Sequence, residues 1–167
     1  IIRKVEIEEP VTQVFNSQFE GYKNLEEVKL PNTVTYIGEK AFRECYNLQT
    51  INIPNKLNKL QWQTFFHCES LKTIEIPQGL KTIGSAAFSC CTSLENINIP
   101  ETVTTIVTDS FNGSEATSIY VPNGVTELTG TTFGGMSNLR EIKIKADNLN
   151  YKTENGNLYS KDGTVLI

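Results

Sequence analysis

A proline that returns every 22 or 23 residues is the most regular feature of this 167-residue sequence. Five of the six prolines are separated by 23, 23, 23 and 22 residues, and each ends a run close to Leu-x-x-Ile-x-Ile-Pro. They are Pro31, Pro54, Pro77, Pro100 and Pro122. Such a period is typical of a stack of similar coils, each burying its apolar side against its neighbours. The sequence therefore predicts a solenoid, a fold that works by presenting a long surface.

Alternating apolar and polar residues precede each proline, and this alternation is typical of a half-buried strand. In the copy LQTINIP (48–54), Ile51 and Ile53 are expected to point inward and Asn52 outward. Proline ends the strand because it has no N–H to donate to a neighbouring ladder. The repeat predicts seven strands, at residues 5–7, 28–30, 51–53, 74–76, 97–99, 119–121 and 142–144.

Further apolar residues recur between the strands and fill the remaining core positions. Eleven residues after each proline comes a phenylalanine: Phe42, Phe65, Phe88, Phe111 and Phe133. Fourteen residues after come Cys45, Cys68, Cys91, Ser114 and Met136. We expect like side chains of neighbouring coils to stack about 5 Å apart, the spacing of paired strands. The spacing of Phe42, Cys45 and Leu48 favours a short helical or 3-10 turn.

The two ends of the chain depart from the repeat. The first coil is degraded: Val11 and Tyr22 occupy core positions, whereas Glu8 stands where proline belongs. After Lys145 the repeat stops, and the tail carries the turn signals Asn155-Gly156 and Asp162-Gly163. We therefore predict a solenoid over residues 1–145 and a β-hairpin tail over 146–167 that continues the same domain.

Charge and hydropathy argue against two broad classes of function. The formal net charge is −4 and the pI is about 5.1, which does not favour a nucleic-acid surface. No apolar run approaches the ~20 residues that a transmembrane helix needs. No signal peptide is visible, and because the sequence starts at Ile1 we expect it to be a piece of a longer chain.

The 23-residue unit resembles the BspA-like, or Treponema-type, leucine-rich repeat. The segments TYIGEKAFRECYNL (35–48) and KTIGSAAFSCCTSL (81–94) carry the resemblance, which covers about residues 1–145. The resemblance implies an α/β repeat solenoid: a right-handed leucine-rich-repeat array of about seven coils. It would have one short strand per coil on the concave face, and short helical or 3-10 turns and irregular segments on the convex side. It also implies a secreted or cell-surface protein that takes part in adhesion.

The outward strand positions are the candidate partner-binding site. They are Glu6, Lys29, Asn52, Glu75, Asn98, Tyr120 and Lys143. The alternative interpretation is a solvated sheet whose charges pair across strands, with Glu6 beside Lys29. A second candidate is an apolar patch on the convex side formed by Trp62 and Phe66. The alternative to such a patch is that the Trp62 side chain folds over its own coil.

Nothing in the sequence assembles a cofactor, metal or catalytic site. The cysteines Cys45, Cys68 and Cys91 share one core column, which predicts buried thiols. Glu44, His67 and Cys90 also share a column, but a structural zinc site requires four good ligands. We therefore expect no metal, no cofactor and no enzyme activity.

The prediction for function is a non-catalytic extracellular module that binds a protein or glycan partner, such as host matrix or a cell surface, through the concave face. We expect it to be monomeric, with no nucleic-acid partner, and attached to a membrane only through segments outside this sequence. The alternative is a structural spacer, or a scaffold that self-associates within a larger surface protein.

Overall fold

The computed structural model describes residues 1–128 and 131–166, so Thr129, Gly130 and Ile167 lie outside the description. The described chain winds as a β-solenoid with one column of short parallel strands. These strands are β1 (Lys4–Glu6), β3 (Glu27–Lys29), β5 (Thr50–Ile51), β7 (Thr73–Glu75), β9 (Asn96–Asn98), β11 (Ser118–Val121) and β13 (Glu141–Ile144). Seven strands enclose about six turns, one fewer than the seven predicted coils, because a different element follows the seventh strand.

A second column of strands, which the sequence pattern did not predict, lies on another side of the coils. It consists of β2 (Gln13–Val14), β4 (Tyr36–Ile37), β6 (Lys59–Leu60), β8 (Thr82–Ile83), β10 (Thr105–Ile106) and β12 (Glu127–Leu128). Each of these strands ends at a buried aliphatic residue such as Ile37 or Leu60. The expectation of one strand per coil was therefore incomplete, because most turns carry two.

Neighbouring coils pair in register, one repeat apart. Val5 lies opposite Val28 in β1 and β3, and Ile74 lies opposite Ile97 in β7 and β9. The hydrogen-bonded ladder is interrupted between β5 and β7 and between β9 and β11. The first column is thus three successive sheets of three, two and two strands.

The core consists of columns of like side chains. Five phenylalanine rings form one such column: Phe19, Phe42, Phe65, Phe88 and Phe111. Successive rings are stacked with centroid distances of 5.3, 5.6, 5.4 and 5.6 Å and interplanar angles of 5 to 9°. The predicted columnar core, with a spacing of about 5 Å, is confirmed along this column.

The predicted helical or 3-10 turns are wrong, since the described residues contain no helix. The segments in question, called the turn segments below, are residues 38–45, 61–68, 84–91 and 107–114. Within one segment, alternate N–H groups donate to the next coil: Phe42 N to Thr64 O at 2.9 Å and Glu44 N to Phe66 O at 2.7 Å. The N–H of Arg43, which lies between them, closes a turn onto Lys40 O at 3.1 Å. A helix would keep all these donors within one coil.

Left-handed backbone conformations make this alternation possible. Lys40 has a φ of 57° and Glu44 a φ of 59°, and the equivalent residues of neighbouring coils also have positive φ. In the column of Glu44 these equivalents are Gly21, His67, Cys90, Gly113 and Gly135. Only glycine adopts this conformation without a steric cost, so three of these six positions carry local strain.

The two ends of the solenoid differ. At the N-terminal end, Val11 and Tyr22 are exposed, although the repeat placed both in the core, because the first described coil is covered by a described neighbour on one side only. At the other end, β14 (Tyr151–Glu154) and β15 (Asn157–Ser160) form an antiparallel hairpin. Tyr151 and Leu158 of the hairpin are buried in the solenoid core. The boundary at residues 145 and 146 stays a prediction, and Ile167 of the tail lies outside the described residues.

No described residue belongs to a helix that could cross a membrane.

Candidate functional site

The strand face is defined here as the outward side of β1, β3, β5, β7, β9, β11 and β13. A three-residue strand buries its central residue and exposes the two beside it, as in β7, where Ile74 is buried and Thr73 and Glu75 are exposed. The same alternation exposes all the predicted site residues except Tyr120, which is half-buried. The sequence therefore placed these side chains on the correct side of the coil; their role in binding stays a prediction.

A shallow groove runs along the strand face over the second to fifth strands of the column. One hollow of about 550 Å³ is lined by Lys29, Asn52 and Glu75 among others, and a second of about 670 Å³ is lined by Glu75 and Asn98. The two hollows share Glu75 and three more residues, and so they are continuous. Four of the seven predicted side chains therefore meet along one groove.

The other three predicted residues lie outside this groove. Glu6 lines an adjoining hollow of about 510 Å³, which shares Lys29 and Asn52 with the first hollow of the groove. Tyr120 and Lys143 lie opposite each other in β11 and β13, at the C-terminal end of the column. The predicted site is therefore a line of positions along the molecule and not one compact cavity.

Asn52 has a structural role that its spacing did not reveal. Its side-chain Nδ2 donates to Leu30 O at 2.8 Å, and its Oδ1 accepts from Leu30 N at 2.8 Å. The amide thereby extends the ladder between β3 and β5 beyond the end of β5. Asn52 is exposed, yet its hydrogen-bonding groups are already partly occupied by the preceding coil.

Tyr120 is similarly engaged by neighbours that sequence analysis missed. Its hydroxyl donates to Glu101 Oε1 at 2.6 Å, and Lys145 Nζ lies 2.8 Å from the same oxygen. Hydrogen bonds from Lys145 and Tyr120 lower the pKa of Glu101, and the hydrogen bond to Glu101 raises the pKa of Lys145. Glu101 directly follows the proline of its repeat, but only the structure places it beside β11.

The charges of the strand face pair in part across the strands. Glu6 and Lys29 are neighbours in register, as predicted. The ion pair on these strands is between Lys4 and Glu27, whose charged atoms lie 2.7 Å apart. Hydrogen bonding between the two lowers the pKa of Glu27 and raises that of Lys4. Pairing across strands therefore occupies part of this surface, while Lys29 and Glu75 line the groove.

The buried cysteines form a thiol column. The thiols of Cys45, Cys68 and Cys91 each donate to the carbonyl of a phenylalanine on the preceding coil, at 3.1, 3.2 and 3.2 Å. Burial raises the pKa of Cys45 to about 12 and also raises the pKa values of the other two. Nucleophilic attack and metal binding both need the thiolate, so burial and the raised pKa values disfavour both reactions at these thiols.

The column of Glu44, His67 and Cys90 does not converge on one point. Glu44 pairs with Arg43 at 2.8 Å, and His67 Nδ1 lies 2.9 Å from Glu69 Oε1. Residues 1–128 and 131–166 contain no group of three His, Cys, Asp or Glu side chains that could hold a metal ion.

The thiol column makes stability sensitive to alkaline pH. A thiol whose pKa is raised in the folded state favours the folded protein as long as the pH stays below the unfolded-state pKa of about 9. As the pH rises from about 9 towards the folded-state pKa, this contribution is lost at up to about 1.4 kcal/mol per pH unit for each thiol. Cys45→Ser introduces serine, the residue type present at Ser114 in the same column. We expect this variant to lose less unfolding free energy per pH unit in urea unfolding at alkaline pH. An unchanged slope would contradict the pKa assignment.

Trp62 and Phe66 lie on the turn face, the outward side of the turn segments. Each ring lies next to a cation of the preceding coil: Lys40 Nζ is 4.5 Å from the Trp62 ring centroid, and the Arg43 guanidinium is 5.5 Å from that of Phe66. Phe66 also contacts His67 edge-on at 4.6 Å. Each of the two rings therefore has a cation beside it, and their role as a binding patch on the convex side stays a prediction.

Comparison with known proteins gives one family. A model of the BspA type leucine-rich repeat region matches the chain in six copies, over residues 1–116 and 60–156. A leucine-rich repeat protein of T. pallidum is 33% identical, with a TM-score of 0.81, over 85% of this chain and 70% of that one. The comparison with curated proteins gave no match.

Two further solved structures are similar along nearly the whole chain. A leucine-rich cell surface protein of Faecalibacterium prausnitzii is 27% identical, with a TM-score of 0.76, over 97% of this chain and 52% of that one. The pneumococcal vaccine antigen PcpA is 20% identical, with a TM-score of 0.80, over 96% of this chain and 44% of that one, a likeness of fold alone. The chain spans about half the length of these two proteins.

Proposed function

The chain belongs to the BspA-type leucine-rich repeat family, and from this premise we propose that it is a non-catalytic recognition module that binds a protein partner through its strand face. A repeat solenoid buries its core in columns and leaves an extended surface for contacts. One similar protein, that of F. prausnitzii, is described as a cell surface protein, which supports the proposal that this chain also acts outside the cell.

The continuous groove along the strand face is the observation that carries the proposal. Its lining includes Glu27, Lys29 and Glu75, so both signs of charge lie within one concave surface. A surface of mixed charge fits a protein partner of complementary charge pattern better than it fits a uniformly charged polymer. A glycan, the other ligand that the sequence suggested, remains an outcome of the experiment.

Binding in this groove would be distributed over several coils. A single exposed polar contact contributes about 0.5–1.5 kcal/mol at most, and no aromatic residue lines either hollow. Tyr120 and Asn52 already bond within the protein. We therefore assign the leading roles to Lys29, Glu75 and Asn98.

The combined variant Lys29→Ala, Glu75→Ala and Asn98→Ala should lose binding by at least about tenfold, because three contacts disappear together. The measurement is binding of this chain to an array of extracellular-matrix proteins and glycans. The matched control is Lys81→Ala, Glu127→Ala and Asn58→Ala, which removes the same residue types from exposed positions outside the groove. Equal binding by the groove variant and the control would refute the strand-face proposal.

Self-association, as a scaffold within a larger surface protein, is the second candidate function. Nine large hydrophobic side chains are exposed among the described residues, and exposed apolar surface of this kind can contact a second copy of the chain. Sedimentation of the same preparation over a wide concentration range separates the candidates, since a strict monomer excludes self-association.

A further inference from the structure

Three lysines at the second strand column form a positively charged surface, called the lysine patch below. They are Lys56, Lys59 and Lys81, and all three are exposed. Lys59 is the first residue of β6, and Lys81 directly precedes β8 on the next coil. Within residues 1–128 and 131–166, none of the three ammonium groups belongs to an ion pair or lies over an aromatic ring.

The backbone brings the three lysines close together. The Lys81 N–H donates to Asn58 O at 2.8 Å, so Lys81 lies beside the residue that precedes Lys59. The spacings of strands and of residues then place the Cα atoms of Lys59 and Lys81 about 6 Å apart. Lys56 comes three residues before Lys59, and the equivalent position on the next coil is Gly79, which has no side chain to separate Lys56 from Lys81.

No acidic residue occupies the positions beside the lysine patch on the neighbouring coils. The equivalent residues one coil before and one coil after are all neutral: Tyr36 and Thr82 for Lys59, Asn58 and Thr104 for Lys81, and Thr33 and Gly79 for Lys56. On the strand face, by contrast, Lys4 pairs with Glu27. Three like charges without a counter-charge repel one another. The patch is thus opposite in sign to the net charge of −4, and an anionic ligand would relieve the repulsion.

The other accessible groups around the lysine patch are amides and hydroxyls. In the segments 55–59 and 78–82 the only apolar side chains are Leu57 and Leu80, and both are buried. Among the described residues, no hydrogen bond occupies the side chains of Asn58 and Thr82. A protein partner usually anchors its contacts with aromatic or other large side chains in packed pockets, which this polar surface does not offer. A sugar polymer supplies hydroxyls, which both donate and accept hydrogen bonds.

We propose that the lysine patch is a binding site for an acidic polysaccharide, separate from the strand-face groove and additional to the proposed function. Carboxylate or sulfate groups of the polysaccharide pair with the three ammonium groups, and its hydroxyls bond to the amide of Asn58 and the hydroxyl of Thr82. A neutral polysaccharide lacks the ion pairs. Because these ion pairs are exposed, each is weak and is screened by salt, so binding depends on all three together.

Four polymers test the chemistry of the ligand. They are heparin, which carries sulfates, polygalacturonate, which carries carboxylates only, dextran, which is neutral, and polyglutamate, which is acidic but has no sugar rings. Calorimetry at low salt should show saturable binding of heparin or polygalacturonate and no binding of dextran. The affinity should fall as the salt concentration rises, because salt screens exposed charges.

The variant Lys56→Gln, Lys59→Gln and Lys81→Gln should weaken this binding by at least about fivefold, since each exposed ion pair contributes about 1.4- to fivefold. The matched control is Lys72→Gln, Arg140→Gln and Lys161→Gln, which removes three positive charges from other exposed positions. The control should bind like the unmodified chain, although its net charge changes by the same amount. Both variants should remain folded in circular dichroism, because all six side chains are exposed.

The two binding proposals are tested independently. The groove variant Lys29→Ala, Glu75→Ala and Asn98→Ala should bind the polysaccharide with unchanged affinity. The control of that experiment includes Lys81→Ala and Asn58→Ala, so it should bind the polysaccharide more weakly while it keeps its protein partner. The lysine-patch proposal is overturned if neither acidic polysaccharide binds saturably, if the lysine variant and its matched control lose binding equally, or if polyglutamate binds as tightly as the better polysaccharide.

Discussion

Replacing Phe65 by alanine is expected to lower the free energy of unfolding by about 3–5 kcal/mol, the range for a buried phenylalanine whose site cannot collapse. Phe65 is fully buried in the middle of the aromatic column. Its ring stacks on Phe42 at 5.6 Å and on Phe88 at 5.4 Å, so the substitution removes both contacts. Each coil is stabilised mainly by its two neighbours, and the loss therefore weakens the stack on both sides.

The matched control is Phe19→Ala, at the end of the same column. Phe19 stacks on only one column neighbour, Phe42 at 5.3 Å, and its other ring contact is an edge-on one with Tyr22 at 5.6 Å. We expect a clearly smaller loss for this variant because the substitution removes one stacked phenylalanine contact instead of two. Urea unfolding followed by circular dichroism measures both variants. Equal losses, or a loss below about 1 kcal/mol for Phe65→Ala, would show that the column does not stabilise the stack in this way.

Gly84→Ala is expected to destabilise the protein by about 1–3 kcal/mol or more, the cost of overpacking a well-packed interior. The Gly84 N–H donates to Leu60 O at 3.0 Å, which sets the distance between two coils. A Cβ on Gly84 would lie 2.5 Å from that oxygen and 2.9 Å from Gln61 C and O. These are backbone atoms, so the coils would have to separate to admit one methyl group.

Gly113→Ala serves as the comparison because it adds the same methyl group where there is space. The nearest atom to its Cβ would be Cys90 Cα or N, at 3.8 Å. Gly113 has a φ of 74°, so alanine there carries a conformational cost of about 1 kcal/mol and no collision. Urea unfolding should therefore rank Gly84→Ala as the more damaging substitution. The opposite order would mean that the coils can separate at little cost.

The repeat period predicted the core well. It identified the phenylalanine and cysteine columns and the outward strand residues, because an exact repeat places equivalent residues side by side on neighbouring coils. The strands begin one residue earlier than predicted, at Lys4 instead of Val5 in the first case. The ladder includes the exposed residue ahead of the first inward aliphatic one, which hydrophobic alternation alone does not reveal.

The conformation of the turn segments was predicted wrongly, and the second strand column was not predicted. Both have one physical reason. The spacing of Phe42, Cys45 and Leu48 is compatible with a helix, and apolar spacing does not show where the N–H groups donate. Here alternate donors bond to the next coil, which requires positive φ at residues such as Lys40 and Glu44. Neither residue type signals a left-handed conformation.

The candidate site was predicted in position but not in chemistry. Alternation placed Glu75 and Asn98 outward, and both line the groove. The involvement of Asn52 with Leu30 and of Tyr120 with Glu101 became evident only in the structure. These contacts join residues 19 to 22 positions apart in the chain, and the side-chain directions that permit them are not encoded in a repeat pattern.

The sequence by itself determined that the chain is a solenoid of the leucine-rich type, which residues stack in its core and which point outward. It could do so because burial of like residues at a fixed period admits only one alignment of the coils. The tertiary structure decided how the turn segments bond to one another, which outward polar groups remain available in the groove, and that Lys40 lies over Trp62. Those features depend on backbone conformation and on side-chain contacts between coils, and both exist only once the coils are stacked.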